Sequence, residues 1–130
     1  MITILLIIWL LFIVAEAYRN YRIIEIGNSR PDYLQSFVLR GMAAIGHGVL
    51  FDPANMGEYL PVFIFQVSSF WVLFPVVLNY MRQKPLLYYN TTSGWIARVF
   101  AWIGSDGFYF FCKILSLVVS VFAAIVLYTR

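Results

Sequence analysis

The sequence predicts an all-α fold: an integral membrane bundle of four transmembrane helices with a short interfacial amphipathic helix. Three observations carry this reading. Of the 130 residues, 62% are hydrophobic and 12% charged, with a mean hydropathy of +0.83; a soluble domain has roughly 45–50% apolar and about 25% charged residues. The apolar residues gather into four long stretches, and a helix needs about 20 residues to cross the hydrocarbon. The basic residues fall mostly between these stretches, where membrane topology explains them.

These numbers exclude disorder, which needs low hydrophobicity and high net charge. They also argue against a soluble globule, which could not hide so much apolar surface from water. The length limits the chain to one domain, a single membrane domain over residues 1–130. The net charge of +3 and the pI near 9.2 do not come from a basic patch, so no nucleic-acid partner is expected. Cys112 is the single cysteine, which excludes an intrachain disulfide and a cysteine metal site.

The first span is expected at about 2–18. Ala15-Glu16-Ala17 has the small-x-small form of a signal-peptide cleavage site. No Lys or Arg precedes the apolar run, however, so the basic n-region is missing and the stretch reads as a membrane helix. The second span, about 33–51, contains Arg40 and His47, and a charge at mid-helix costs roughly 2.5–3.5 kcal/mol on insertion scales. The positive-inside rule favours it as a crossing. With it, Arg19, Arg22, Arg30, Arg82, Lys84 and Arg98 share one side, and the opposite loop from Asp52 to Tyr59 has two acids and no base.

The third and fourth spans are expected at about 60–79 and 107–128. Pro61 is read as a first-turn proline, whose missing N–H is harmless. Pro75 lies inside the helix, should kink it, and removes the helical donor to the carbonyl of Trp71. Ser105 and Asp106 are suitable N-caps for the last helix. Between these spans, Trp95, Ile96, Val99, Phe100, Trp102 and Ile103 recur at helical spacing around Arg98. That pattern predicts an interfacial helix over about 94–104. Trp95, Trp102, Tyr88 and Tyr89 are its expected interface anchors. Both termini are expected on the non-cytoplasmic side of a multi-pass protein, in a bacterial inner membrane or a virion membrane if the source is a phage.

Ionisable residues inside a membrane are functional-site candidates. Glu16 lies near the inner end of the first span. Arg40 lies about 10 Å in from the inner end of the second, and Lys113 about 9 Å in from that of the fourth, at 1.5 Å per residue. Glu16 is expected to pair with Arg40, while Lys113 snorkels or joins them as an intramembrane polar network. Ser36, Arg40 and His47 share one helical face. His47 and Gln66 are expected to form an outer-side polar pair. Gly41 and Gly48, seven apart, would allow close helix approach. Lys113, Ser116 and Ser120 make a further polar stripe. For all of these, helix packing is the plainer explanation.

Catalytic signatures are sparse. His47 and Asp52 form H-x-x-x-x-D, the spacing at which membrane glycerolipid acyltransferases let an acid orient a general-base histidine. The chain is too short for that family's catalytic domain, and no phosphate-binding motif follows. There is no H-E-x-x-H, no G-x-S-x-G and no glycine-rich phosphate loop. One histidine excludes bis-histidine haem ligation, while the four Met leave His/Met ligation formally open. No catalytic residue, cofactor or metal is therefore expected. Asn90-Thr91-Thr92 is a glycosylation sequon on the expected inner side, where no glycan would be added.

Glu16 in the first of four spans and Ser69-Phe70-Trp71 in a later one resemble the small multidrug-resistance transporters. The resemblance implies exchange of protons for cationic drugs at the first-helix carboxylate. The match covers few residues, and Arg40 and Lys113 would repel a cation at such a site. The strings Arg40-Gly41-Met42-Ala43-Ala44, Phe65-Gln66, Ser69-Phe70-Trp71, Leu86-Leu87-Tyr88-Tyr89 and Ser93-Gly94-Trp95 resemble those of small membrane proteins of bacteria and their phages. That resemblance implies a source and no mechanism. The expected role is a non-catalytic structural or accessory subunit of a larger membrane assembly. Its partners would be the bilayer and other membrane subunits or further copies. The alternatives are a small ion- or proton-coupled transporter or channel using Glu16 and, third, a membrane acyltransferase using His47 and Asp52.

Overall fold

The computed structural model describes residues 1–86 and 106–129, and the side chains of all of these except 106 and 107. The expected interfacial helix over 94–104, with Tyr88, Tyr89, Trp95 and Trp102, lies outside the described residues. Among the described residues the regular structure is entirely helical. Helix α1 runs Ile2–Tyr21 and continues as a π-turn over Arg22–Ile26. Helix α2 is Tyr33–Val49, α3 is Met56–Met81 and α4 is Asp106–Thr129.

Three segments are long and apolar enough to cross a membrane: Ile2–Ile26, Met56–Met81 and Phe108–Thr129. This is the architecture of a small multi-pass membrane protein. The segment expected as the second of four spans ends at Val49, and its 17 residues fall short of the roughly 20 that cover the hydrocarbon. Four helices are therefore present among the described residues, and three of them qualify as spans.

The helix ends follow from local chemistry. Asp32 caps α2, its Oδ1 accepting from the Gln35 N–H at 3.1 Å. Asn55 caps α3 through the Glu58 N–H at 3.0 Å, and the Glu58 carboxylate reaches back to the Ala54 N–H at 2.8 Å, one residue before the one a capping box would use. Because α3 starts at Met56, Pro61 is its sixth residue rather than part of the first turn. Its missing N–H therefore falls on the carbonyl of Gly57. At the other end Gln83 is left-handed, with φ 55°. Lys84 N–H donates to Asn79 O and Gln83 N–H to Tyr80 O, at 2.9 and 3.1 Å, which is a Schellman closure. Helix α1 widens where Gly27 N–H reaches Arg22 O at 2.9 Å, the i→i−5 bond of a π-turn.

The contacts fix the directions of the helices. Trp9 Nε1 donates to Ser69 Oγ at 3.1 Å, and Arg82 pairs with Glu25 at 2.6 Å. Trp9 thus meets the middle of α3 and Glu25, beyond α1, meets its far end, so the two helices run parallel. Helix α2 runs antiparallel to α1, with Ser36 beside Arg19 and His47 beside Leu5. Helix α4 is antiparallel to both α1 and α3, since Tyr128 meets Thr3 and Tyr109 packs edge-on against Trp71. The core joins α1, α3 and α4: Leu6, Trp9, Ile13, Val62, Phe65, Ala123 and Leu127. From α2, only Ala43 and Ala44 reach it, and both are partly buried.

Candidate functional site

Two polar clusters tie α2 to its neighbours, and a third joins α4 to α3. The first centres on Glu16. Its side chain is only 1% exposed, and it faces α2 because residue 16 lies on the α1 face that continues from Trp9 and Ile13. Arg19, one turn on, grips both carboxylate oxygens, with Nε and Nη2 at 2.8 Å each. Arg40 Nε donates to Oε1 from α2 at 3.0 Å. Arg19 Nη2 also donates to Ser36 Oγ at 2.8 Å. Asn20 Nδ2 donates to both the Glu16 carbonyl and Oε1. Two guanidiniums thus converge on one carboxylate, and this corner keeps one net positive charge. Charge-assisted, bidentate bonds of this kind are the strong ones.

Arg40 is further oriented by α3. Its guanidinium carbon lies 5.0 Å from the Phe70 ring centroid and 4.6 Å from that of Phe74. These rings are one helical turn apart and stack on each other at 4.9 Å. They give the cation an aromatic floor.

The second cluster is at the other end of α2. His47 Nε2 lies 2.7 Å from the Leu5 carbonyl, which can only accept, so this nitrogen carries the proton. Gln66 Nε2 then donates to His47 Nδ1 at 2.8 Å and to the Ala44 carbonyl at 2.9 Å. The bonds fix both the histidine tautomer and the amide orientation. They join α1, α2 and α3 in one chain of donors. Gln66 Oε1 is the one buried side-chain polar atom among the described residues with no hydrogen-bond partner. Beside this cluster Tyr59 reaches the Ala44 carbonyl at 3.4 Å and lies flush on Gly48. A Cβ at residue 48 would fall 2.1 Å from the Tyr59 ring, whereas at Gly41 nothing comes within 4 Å. The close approach expected of the two glycines therefore belongs to Gly48 alone.

Lys113 forms the third cluster and stands apart from Glu16. It is 5% exposed, and its Nζ donates to the Trp71 carbonyl, the group that the proline at 75 deprives of its helical donor. The ammonium also lies 3.8 Å from the Trp71 ring centroid and 5.2 Å from that of Tyr109. The donor that Pro75 removes from α3 and the buried cation of α4 therefore answer each other.

The structure thus brings Glu16 together with Arg40, and His47 with Gln66, and gives Lys113 a separate partner. Sequence reasoning missed Arg19 as a member of the Glu16 cluster. The i, i+3 spacing was the available signal, but placing the end of the span before residue 19 assigned that arginine to the loop. Among the described residues no group of three or more His, Cys, Asp or Glu could hold a metal. Comparison with protein-family models, with curated proteins and with solved structures gives no match.

Proposed function

We propose that this chain is a non-catalytic structural or accessory subunit of a larger membrane assembly, in a cellular or virion membrane, with α2 crossing the bilayer as a fourth span. One observation carries the functional part. Glu16, Arg40, His47 and Lys113 each bond to a neighbouring helix, so the intramembrane polar groups act as connectors between helices. Polar side chains commonly serve this purpose in membranes.

The parallel course of α1 and α3 supports α2 as a span. Two consecutive spans running the same way need a return crossing, and α2 is the helix between them. Its contacts with α1, from Ser36 to His47, extend over about 16 Å at 1.5 Å per residue. Phe37, Leu34, Met42 and Ile45 point outward and are each more than 60% exposed, a face suited to lipid. A helix slightly short of the hydrocarbon is accommodated by local thinning of the bilayer. On this topology both termini are non-cytoplasmic, and the basic loops are cytoplasmic.

The accessory reading is tested by purification in mild detergent. The chain is expected to co-purify with other membrane subunits or as a multimer. Recovery as a lone monomer contradicts the reading. The alternative, a transporter using Glu16, is favoured by the burial of that carboxylate and disfavoured by the two arginines that hold it. Flux in proteoliposomes that is abolished in Glu16→Gln would restore it. The acyltransferase reading requires a histidine nitrogen to act as base, but His47 Nδ1 and Nε2 are both engaged by other groups. Full activity of His47→Ala would end that reading.

A further inference from the structure

The corner where α1, α2 and α3 meet has features that tethering alone does not explain. One guanidinium suffices to neutralise Glu16, yet two converge on it. Arg40 uses only Nε for the carboxylate. Its two Nη groups make no hydrogen bond to the protein among the described residues, although the guanidinium is held firmly over Phe70 and Phe74. The side chains of Arg40 and Arg19 remain 31% and 28% exposed, so neither is sealed inside the bundle.

The position of this corner selects a ligand. Helical side chains lean toward the N-terminus of their helix, which for α2 is the end that carries Arg19, Arg22 and Arg82. Arg40 therefore reaches from the apolar zone toward that membrane surface. A fixed guanidinium fork with one surplus positive charge at headgroup depth matches a phosphate oxygen pair. Leu34 and Phe37, exposed on the same half of α2, offer an apolar flank for acyl chains. Basic pockets between membrane helices are a recognised mode of anionic lipid binding.

We propose that Arg40 and Arg19 form a binding site for the phosphate of an anionic phospholipid, beside the Glu16 carboxylate that they share. The site rests on α2 lying in the bilayer, and it is independent of whether the chain has protein partners. Occupancy would lock α2 against α1 and α3 without adding a protein contact.

The test is native mass spectrometry of the full chain released from detergent micelles doped with equal amounts of phosphatidylglycerol and phosphatidylcholine. The wild type is expected to retain phosphatidylglycerol in preference; equal retention of the two lipids overturns the proposal without recourse to any variant. Arg40→Gln should lower the preference roughly fivefold. Glu16→Gln, which raises the local charge, should leave the preference intact or increase it. A loss of preference in Glu16→Gln whose helical circular dichroism matches the wild type contradicts the proposal. Inorganic phosphate separates the two sources of the same chemistry. If millimolar phosphate displaces the lipid completely, the site is one for free phosphate and the lipid assignment falls. Persistence of the lipid supports it.

Discussion

Helices α2 and α4 both pack against the parallel pair α1–α3, but they are held by different physics. Helix α4 sends Ala123 and Leu127 into the apolar core and buries Tyr109 against Trp71. Helix α2 places no fully buried apolar residue there, and its buried residues are Ser36, His47 and Gly48. It is fastened by Arg40 to Glu16 near one end and by His47 to Leu5 and Gln66 near the other. Between helices in lipid there is no hydrophobic driving force, so close packing and hydrogen bonds must do the holding. Helix α4 relies mainly on the first of these and α2 mainly on the second.

The largest expected effect breaks the tether that centres on a single carboxylate. Glu16→Ala leaves Arg19 and Arg40 facing each other without their counter-ion and should cost about 3 kcal/mol. Reversible unfolding in bicelles by titration with sodium dodecyl sulfate measures it. If the loss is no larger than for an exposed residue such as Ile4→Ala, α2 is not held by this cluster.

A smaller effect separates the two glycines of α2. Gly48→Ala pushes a methyl group into Tyr59 and should cost about 1–2 kcal/mol, an ordinary overpacking penalty. Gly41→Ala meets nothing within 4 Å and should stabilise by up to about 1 kcal/mol through helix propensity. The same titration compares them, and equal effects would deny the close approach of α2 to α3.

The smallest effect probes the buried polar link between α4 and α3. Lys113→Met removes the donor to the Trp71 carbonyl, and Pro75→Ala returns a backbone N–H to it. The two changes should couple by about 0.5–1 kcal/mol in a double-mutant cycle, with the cost of Lys113→Met smaller in the Pro75→Ala background. Strict additivity would separate the lysine from the proline.

Much of this arrangement is legible in the sequence, because lipid makes apolar length a strong signal. The three long spans follow from uninterrupted runs, and the gap in hydrogen bonding at Trp71 follows from Pro75 alone. Depth counted along two antiparallel helices puts Glu16 and Arg40 at a similar level, and they stand 3.0 Å apart. What does not show is set by helix ends and tertiary geometry. Helix α1 runs past Arg19 to Tyr21, so an apparent loop arginine becomes part of the Glu16 cluster. The start of α3 at Met56 is a matter of the Asn55 cap, which moved Pro61 into the helix body. That Lys113 meets a carbonyl and two rings rather than Glu16 depends on how α4 is rotated about its axis, and the spacing of Lys113, Ser116 and Ser120 cannot set that rotation.

The central claim is that α2 is a membrane crossing fastened by polar bonds. Maleimide labelling of intact cells or sealed vesicles tests it most directly, with cysteines at Ser29 and Ala54 on either side of α2 and Cys112 replaced by serine. The account predicts that Ser29→Cys and Ala54→Cys label from opposite sides and that Lys84→Cys labels with Ser29→Cys. Labelling of both Ser29→Cys and Ala54→Cys from one side would contradict it.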